Sequence, residues 1–459
     1  MKEKKSEAPR RGNEELFKWD GNPTFGQILP LAAQHVLAAV VGCVTPAILV
    51  ANAANNAGGN VNMGLLIQMS LVFAALSTFL QLYGNKIHLG SGLPVIIGVS
   101  FAYVPTMTAI AAQAQDVNTI FGAMIVGGIV AIIVGLTIKQ IRKVFPPLVI
   151  GTVIFAIGLS LYKTAINYMA GNSANTYEVI VEQRGQTAAL VYGSWQNWLV
   201  SLVTLAIVIG LNHYGKGLFK LASILIGLVC GYVLALCFGM VDFSALSNAG
   251  WFQLPQPFAF GVKFDISAII PLAILFLVNS IQAMGDFSAT TSGGMDRLPT
   301  DQELNGGIIG YGISNIVSAC FGCPPTATYS QNVGIVSTTK VISRRVLGIA
   351  AAILMAAGLI PKFSSILTTI PYCVLGGATI SVFASIAMTG MKLITTEPMD
   401  FRNTTVVGLA VAVGMGVTQA SASLAQFPDW VTTIFGKSPV VLATIVAIVL
   451  NLTLPKAKK

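Results

Sequence analysis

The sequence predicts an all-α integral membrane protein, with 14 transmembrane segments arranged as two inverted repeats of seven spans. Three observations carry this expectation. Only 9% of the 459 residues are charged and 54% are hydrophobic, whereas an average soluble domain is about 25% charged. The apolar residues fall in stretches close to the roughly 20 residues that a helix needs to cross a bilayer. The third stretch of each half is interrupted by Gly and Pro, and seven is odd, so two successive halves of seven spans run in opposite orientations.

The expected segments are 27–49, 62–83, 93–112, 119–138, 146–163, 195–212, 219–240, 266–288, 304–322, 324–339, 345–361, 367–391, 404–425 and 438–454. An even number puts both termini on one side. Placing them in the cytoplasm leaves only Lys163, Arg184, Lys263, Lys362 and Lys437, of 26 Lys and Arg, outside, the asymmetry expected of cytoplasmic loops. The net charge of +9 therefore reads as topology, and no nucleic-acid partner is expected. Residues 1–20 are polar, with Lys2, Lys4, Lys5, Arg10 and Arg11 and no apolar core, so no cleavable signal peptide is expected. The longest connection, 164–194, is placed outside. The stretch 242–265, with Trp251, Pro255 and Pro257, joins the two halves.

A few residue matches suggest an internal repeat. Pro146-Pro147-Leu148-Val149-Ile150-Gly151 in the fifth span resembles Pro371-Tyr372-Cys373-Val374-Leu375-Gly376 in the twelfth. The third span carries Gly92-Leu93-Pro94 and then Gly98 to Pro105. The tenth opens on Pro324-Pro325 and crowds Thr326, Thr328, Tyr329, Ser330, Gln331 and Asn332 into one polar run. Proline denies the helix a donor, and irregular backbone at bilayer depth is tolerated only where protein buries it or it lines a cavity. Matching broken segments in inverted halves point to a small-molecule site near the bilayer midplane.

Ionisable residues inside spans are scarce. His35 follows Gln34 in the first span, where it can contact a ligand, accept a proton or pack. Asn279, Gln282 and Asp286 share one face of the eighth span at spacings of 3, 4 and 7. An intramembrane charge is costly and usually functional, so Gln282 and Asp286 are assigned to the site; Asn279 reads as glue between helices. Half-helices at the two broken spans offer free N–H groups. A planar heterocycle suits such a place: its carbonyls accept from those N–H groups, its ring N–H groups donate to the side-chain oxygens of Gln331 and Gln282, and Phe101 or Tyr329 stacks on its face. All six cysteines lie in apolar segments. Cys320-x-x-Cys323 reads as packing, with redox or metal chemistry the lesser alternative. No phosphate loop, catalytic triad or metal-ligand cluster is evident, so no enzyme, cofactor or metal is expected.

With these residues in hand, the sequence resembles the xanthine/uracil permease family, the nucleobase–ascorbate transporters. The family's tenth-span signature is matched in full by Gln331-Asn332-Val333-Gly334, then Thr339-Lys340. Gln34-His35, the Gly98-Val99-Ser100-Phe101 stretch and Ala283-Met284-Gly285-Asp286 carry the likeness elsewhere, over essentially the whole chain. The resemblance implies a core domain of spans one to four and eight to eleven (27–138 and 266–361) and a gate domain of five to seven and twelve to fourteen (139–241 and 362–454). The tails 1–26 and 455–459 and the loop 242–265 complete the chain. It implies import of a nucleobase across the plasma membrane by movement of core against gate, with a proton or sodium ion as coupling ion, often as a homodimer. Carried over, Ser100, Phe101, Gln282, Tyr329, Gln331 and Asn332 would bind substrate, and Asp286 and His35 would couple protons or support the site. Gln331 and Gly285-Asp286 resemble purine-transporting members, which points to xanthine, urate or a similar oxopurine.

Two positions depart from the family. Gln282 stands where the family usually has Glu, and Tyr311-Gly312 stands where purine members often have Asp-Gly. A neutral amide still offers a donor and an acceptor to a purine edge but takes up no proton. Coupling then falls on Asp286 or His35, or is weakened. Alternatives are a permease for uracil or another nucleobase, an uncoupled facilitator, and an anion transporter or channel on the same architecture.

Overall fold

A computed structural model describes residues 14–138, 146–176, 188–243, 246, 249–436 and 438–455. The basic residues of the extreme N-terminus, Arg184 and Lys437 lie outside them. The described chain is helical apart from two three-residue strands. In order it forms α1 (Phe25–Asn56), α2 (Met63–Tyr83), β1 (Ile97–Val99), α3 (Val104–Ala114), α4 (Asn118–Leu136), α5 (Pro147–Met169), α6 (Trp195–Tyr214) and α7 (Ser223–Cys237). There follow α8 (Ile266–Gly294), α9 (Asp301–Cys320), β2 (Thr326–Thr328), α10 (Ser330–Thr339), α11 (Arg344–Gly358), α12 (Pro361–Thr368), α13 (Tyr372–Ile394), α14 (Phe401–Gln419), α15 (Asp429–Gly436) and α16 (Pro439–Thr453).

Eight helices among the described residues are long and apolar enough to cross a membrane, or nine when α11 and α12, bent by 78°, count as one span. In the other expected segments helix is shorter or less apolar. Several expected boundaries need correction: α1, α5 and α8 run on to Asn56, Met169 and Gly294, past the expected ends at 49, 163 and 288. The segment 367–391 does not start at 367, because Pro371 ends the preceding turn and opens α13. The segment 404–425 starts earlier, at Phe401, where Asp400 caps α14 by accepting from Asn403 N at 2.7 Å, and its helix ends at Gln419.

Helices meet where side chains are small, as expected when lipid offers no hydrophobic drive for their association. On α5 and α13, a methyl group built on Gly390 would fall 2.3 Å from Phe155 N and 2.6 Å from Gly151 O. On α4 and α9, Gly128 and Gly312 make the same backbone-to-backbone approach, with carbonyl oxygens 2.8 and 2.6 Å from the missing methyls. The most extensive packing joins α1 to α4 with α8 to α11, and separately α5, α6 and α7 with α13, α14 and α16; contacts between these two sets are sparser.

The helix ends fall on two opposite faces. One carries both ends of the described chain. There Ile342 and Ser343 donate to Leu16 O at 3.1 and 3.2 Å, Arg344 pairs with Asp20 at 2.5 Å, and Arg402 donates to Leu454 O at 3.2 Å. On the other face the stretch from Gly250 to Phe264 lies across the ends of α4, α9 and α11. Lys263 donates to Asn118 O (3.1 Å), Phe258 to Cys320 O (2.6 Å) and Gln253 to Leu359 O (3.0 Å), and Lys362 sits 4.2 Å over the Trp251 ring.

Candidate functional site

The two broken segments meet in the interior. Pro324 and Pro325 lack N–H groups and favour extended backbone in the residue before them, and β2 follows. It pairs antiparallel with β1, with Ile97 opposite Thr328, Gly98 opposite Ala327 and Val99 opposite Thr326. Ser100 N donates to Pro325 O and Tyr329 N to Ile96 O, both at 3.0 Å, extending the ladder at each end. All six strand residues are buried. Their remaining backbone groups therefore need protein partners, and each strand is clamped by one polar side chain from a neighbouring helix. Thr78 Oγ1 of α2 accepts from Ile97 N at 2.9 Å. Asn315 of α9 accepts from Thr326 N at 2.8 Å and donates to Thr326 O at 3.3 Å. Neither Thr78 nor Asn315 was singled out in the sequence. Nothing in the sequence sets them apart from neighbouring polar residues such as Ser77 and Ser314.

Each strand then turns into a helix. Ser100 Oγ accepts from Ala102 N at 3.2 Å and caps a single 3-10 turn, Phe101–Tyr103, that leads into α3. Tyr329 leads directly into α10. Asp286 of α8 closes the junction, accepting from Thr328 Oγ1 and from Ser330 Oγ, the latter at 2.7 Å. Two hydroxyl donors thus satisfy one buried carboxyl, and they bind α8 to the strand–helix corner. Hydrogen bonding of this kind makes an intramembrane acid tolerable.

His35 and Asn332 are also brought together. Asn332 Nδ2 donates to the His35 backbone carbonyl and to its Nδ1, both at 3.0 Å. A carbonyl only accepts, which fixes the amide orientation; His35 Nδ1 then accepts as well, and the ring proton belongs on Nε2. Asn332 Oδ1 is buried without a partner among the described residues. Tyr329 is buried, and its hydroxyl donates to Val99 O at 2.7 Å. Its ring fills a notch between Gly42 and Gly98, where a methyl would fall 3.1 Å and 2.4 Å from ring atoms. This geometry commits Tyr329 to joining α1, β1 and α10 rather than leaving its face open for stacking.

Gln331 is exposed and Gln282 half-buried, and neither side chain has a hydrogen-bond partner among the described residues. One turn beyond each lies a glycine, Gly334 and Gly285, with no atom within 4 Å of where a methyl would sit. Open space therefore lies over Gly285 and Gly334, one turn from Gln282 and Gln331. Phe101 is half-buried at its rim, edge-on to Phe383 of α13 with ring centroids 5.4 Å apart. Asn279 sits deeper and donates to Leu275 O of its own helix at 3.0 Å. Tyr311 bonds the Tyr103 hydroxyl, and both rings pack on Phe276. Cys320 is half-buried, donating to Ile316 O at 3.5 Å, and Cys323 is fully buried. Among the described residues no three His, Cys, Asp or Glu side chains come together as metal ligands.

The fold is one already seen in solved helical membrane proteins. It is similar to the transmembrane domain of a cyanobacterium bicarbonate transporter, BicA, with a TM-score of 0.55 and 17% identity over 92% of this chain and 97% of that one. It is also similar to the murine anion transporter Slc26a9 in its inward-facing state, with a TM-score of 0.61 and 12% identity over 98% of this chain and 73% of that one. At such identities the likeness is one of fold. Sequence relatives are nearer. The xanthine permease XanQ of Escherichia coli (strain K12) is 30% identical over 98% of this chain and 96% of its own length. The uric acid permease PucJ of Bacillus subtilis (strain 168) is 32% identical over 93% of this chain and 92% of its own length. The family model described as "Permease family" and covering xanthine and uracil permeases matches residues 26–423. The chain belongs to this xanthine/uracil permease family, whose members are transporters and not enzymes.

Proposed function

We propose that the protein imports an oxopurine, xanthine or urate or a close analogue, across the plasma membrane. The observation that carries this reading is the pair of unpartnered amides, Gln282 and Gln331, facing the open space beside the paired strands. An oxopurine edge alternates ring N–H donors with carbonyl acceptors. Each Gln amide offers both, and a site with buried polar groups rejects a base that leaves them unpaired. Ser100 and Phe101 form the far rim, Asn332 and His35 brace α10, and Tyr329 holds the strand junction. The names of the relatives, permeases for xanthine and for uric acid, favour the same substrates.

Fourteen segments in two inverted halves fit the architecture. Thr78 and Asn315 support this reading: they clamp β1 and β2 from α2 and α9, the second span of each half. The two packing sets correspond to the core (27–138 and 266–361) and gate (139–241 and 362–454), and transport is a sliding of core against gate, with both termini cytoplasmic. The site rides on the core, and Phe383 on the gate covers it. Asp286 is the acid at the site and the natural place for a coupling proton; sodium is the other candidate ion. Gln282 supports a second reading, that coupling is weak and the protein approaches a facilitator. An anion carrier is less favoured, because Lys340, the nearest cation in sequence to Gln331, pairs with Asp296 at 2.8 Å at the terminus-bearing end. A homodimer is expected in the membrane.

Uptake of radiolabelled xanthine and urate by cells expressing the chain tests the proposal. Competition by oxopurines and not by uracil supports it. Efficient competition by uracil, with none by any oxopurine, overturns it.

A further inference from the structure

Among the described residues, two buried side-chain hydrogen bonds and one ring contact join the two packing sets, and they are unevenly placed. Thr106 Oγ1 on α3 bonds Ser438 Oγ, just before α16, at 2.8 Å. Asn52 Nδ2 near the end of α1 donates to Tyr168 Oη near the end of α5 at 3.4 Å. Both bonds are buried and lie toward the face opposite the termini. The third contact, Phe101 on Phe383, is apolar. Toward the terminus-bearing face the pattern reverses. On α8, Gly285, Ala289 and Ser292 are exposed along one stripe, and on α10 Gln331, Gly334 and Thr338 are exposed along another. A cavity of about 580 Å³, lined by Pro105, Thr108, Ser160, Lys163 and Pro439 among others, adjoins the Thr106–Ser438 bond on the far side.

We propose that the Thr106–Ser438 and Asn52–Tyr168 hydrogen bonds are a latch that closes the external side of the substrate site and sets the resting protein open to the cytoplasm. The inference rests on the core-and-gate reading above. Each bond joins a core helix to a gate element, so neither survives a sliding of one set past the other. Buried and water-excluded, each weights the equilibrium toward the closed external side without touching substrate. A base arriving from outside binds only the fraction of molecules whose latch is open, and its apparent affinity is reduced by that fraction. Thr106, Ser438, Asn52 and Tyr168 are therefore positioning residues.

The test uses Thr106→Val, Ser438→Ala and Tyr168→Phe, which keep shape and remove the bonding group. Losing one net hydrogen bond raises the open fraction about two- to tenfold, and the apparent KM for external xanthine falls by the same factor. Thr106→Val combined with Ser438→Ala falls no further than either alone, because both remove one bond. Unchanged KM in all three, or effects of Thr106→Val and Ser438→Ala that multiply, overturns the latch. A substrate-free readout separates this from failure of the purine assignment. Ser100→Cys, in a chain with Cys230, Cys237 and Cys320 replaced by Ser, is labelled by an impermeant thiol reagent added outside intact cells. Labelling quickens about two- to tenfold with Thr106→Val if the latch is real, even if xanthine proves not to be the substrate. Labelling at the same rate overturns it. Size-exclusion profiles in detergent identify any variant that misfolds.

Discussion

At the scale of single residues, Asp286 shows how far sequence reasoning reaches. Its place in an apolar helix, four residues after Gln282, marks it as functional. Its partners were not legible, because Thr328 and Ser330 lie more than forty positions away and no local spacing connects them. Asp286→Asn keeps the size and one acceptor but removes the charge. We expect normal membrane levels and at least about a tenfold loss of initial uptake, the scale of one lost charge-assisted contact; uptake within twofold of the parent excludes Asp286 from coupling. Gln282→Glu is the complementary change. Uptake in that variant should gain a dependence on external pH, rising as pH falls, and a flat profile shows that position 282 is not where a proton enters. Tyr329 was expected to stack on substrate; the structure makes it a joint. Its ring and hydroxyl are both spent on neighbours, so Tyr329→Phe should strand the Val99 carbonyl and cost about 1–3 kcal/mol of stability, read as a lower melting temperature in detergent. An unchanged melting temperature returns Tyr329 to the role of a stacking face.

Among elements, the interrupted spans were announced by Pro324-Pro325 and by Gly92-Leu93-Pro94, since each denies the helix its bonds. Their antiparallel register was not. Three residues are too few to show an alternating pattern, and pairing across more than two hundred positions leaves no local trace. The strands persist because α2 and α9 each supply a clamp. Asn315→Leu preserves volume while leaving Thr326 N–H buried and unpaired, a cost of about 1–3 kcal/mol. We expect lower thermal stability with a parallel loss of xanthine binding, and retention of both rules the clamp out. Caps were easier to miss. Asp265 precedes α8 and accepts from the Ser267 hydroxyl and backbone N–H at 2.6 and 2.8 Å. These hydrogen bonds hold its carboxyl below the ordinary value of 3.8. A depressed carboxylate stabilises the fold above that ordinary value, and the contribution is lost as pH falls through the lowered one. The slope of stability against pH between neutral pH and pH 5 should therefore owe nothing to Asp265, whereas a slope in that window absent from Asp265→Asn contradicts the assignment.

For the molecule as a whole, hydropathy was enough to find the eight long apolar helices among the described residues, because lipid demands long apolar runs. How the helices group was not legible. It depends on surfaces such as Gly151 against Gly390 and Gly128 against Gly312, and a glycine in sequence does not announce which backbone it will touch.

The pairing of β1 with β2 bears on how the protein is made. About 230 residues separate the two strands, so at the usual pace of translation roughly ten to fifty seconds pass between their syntheses. During that interval β1 waits in the bilayer with an unpaired edge, steadied by Thr78 and by whatever insertion machinery surrounds it. The nascent first half thus carries a vacancy that only the second half can fill, and a gene split within the loop 242–265 should yield a working site only when both fragments are present in the same membrane.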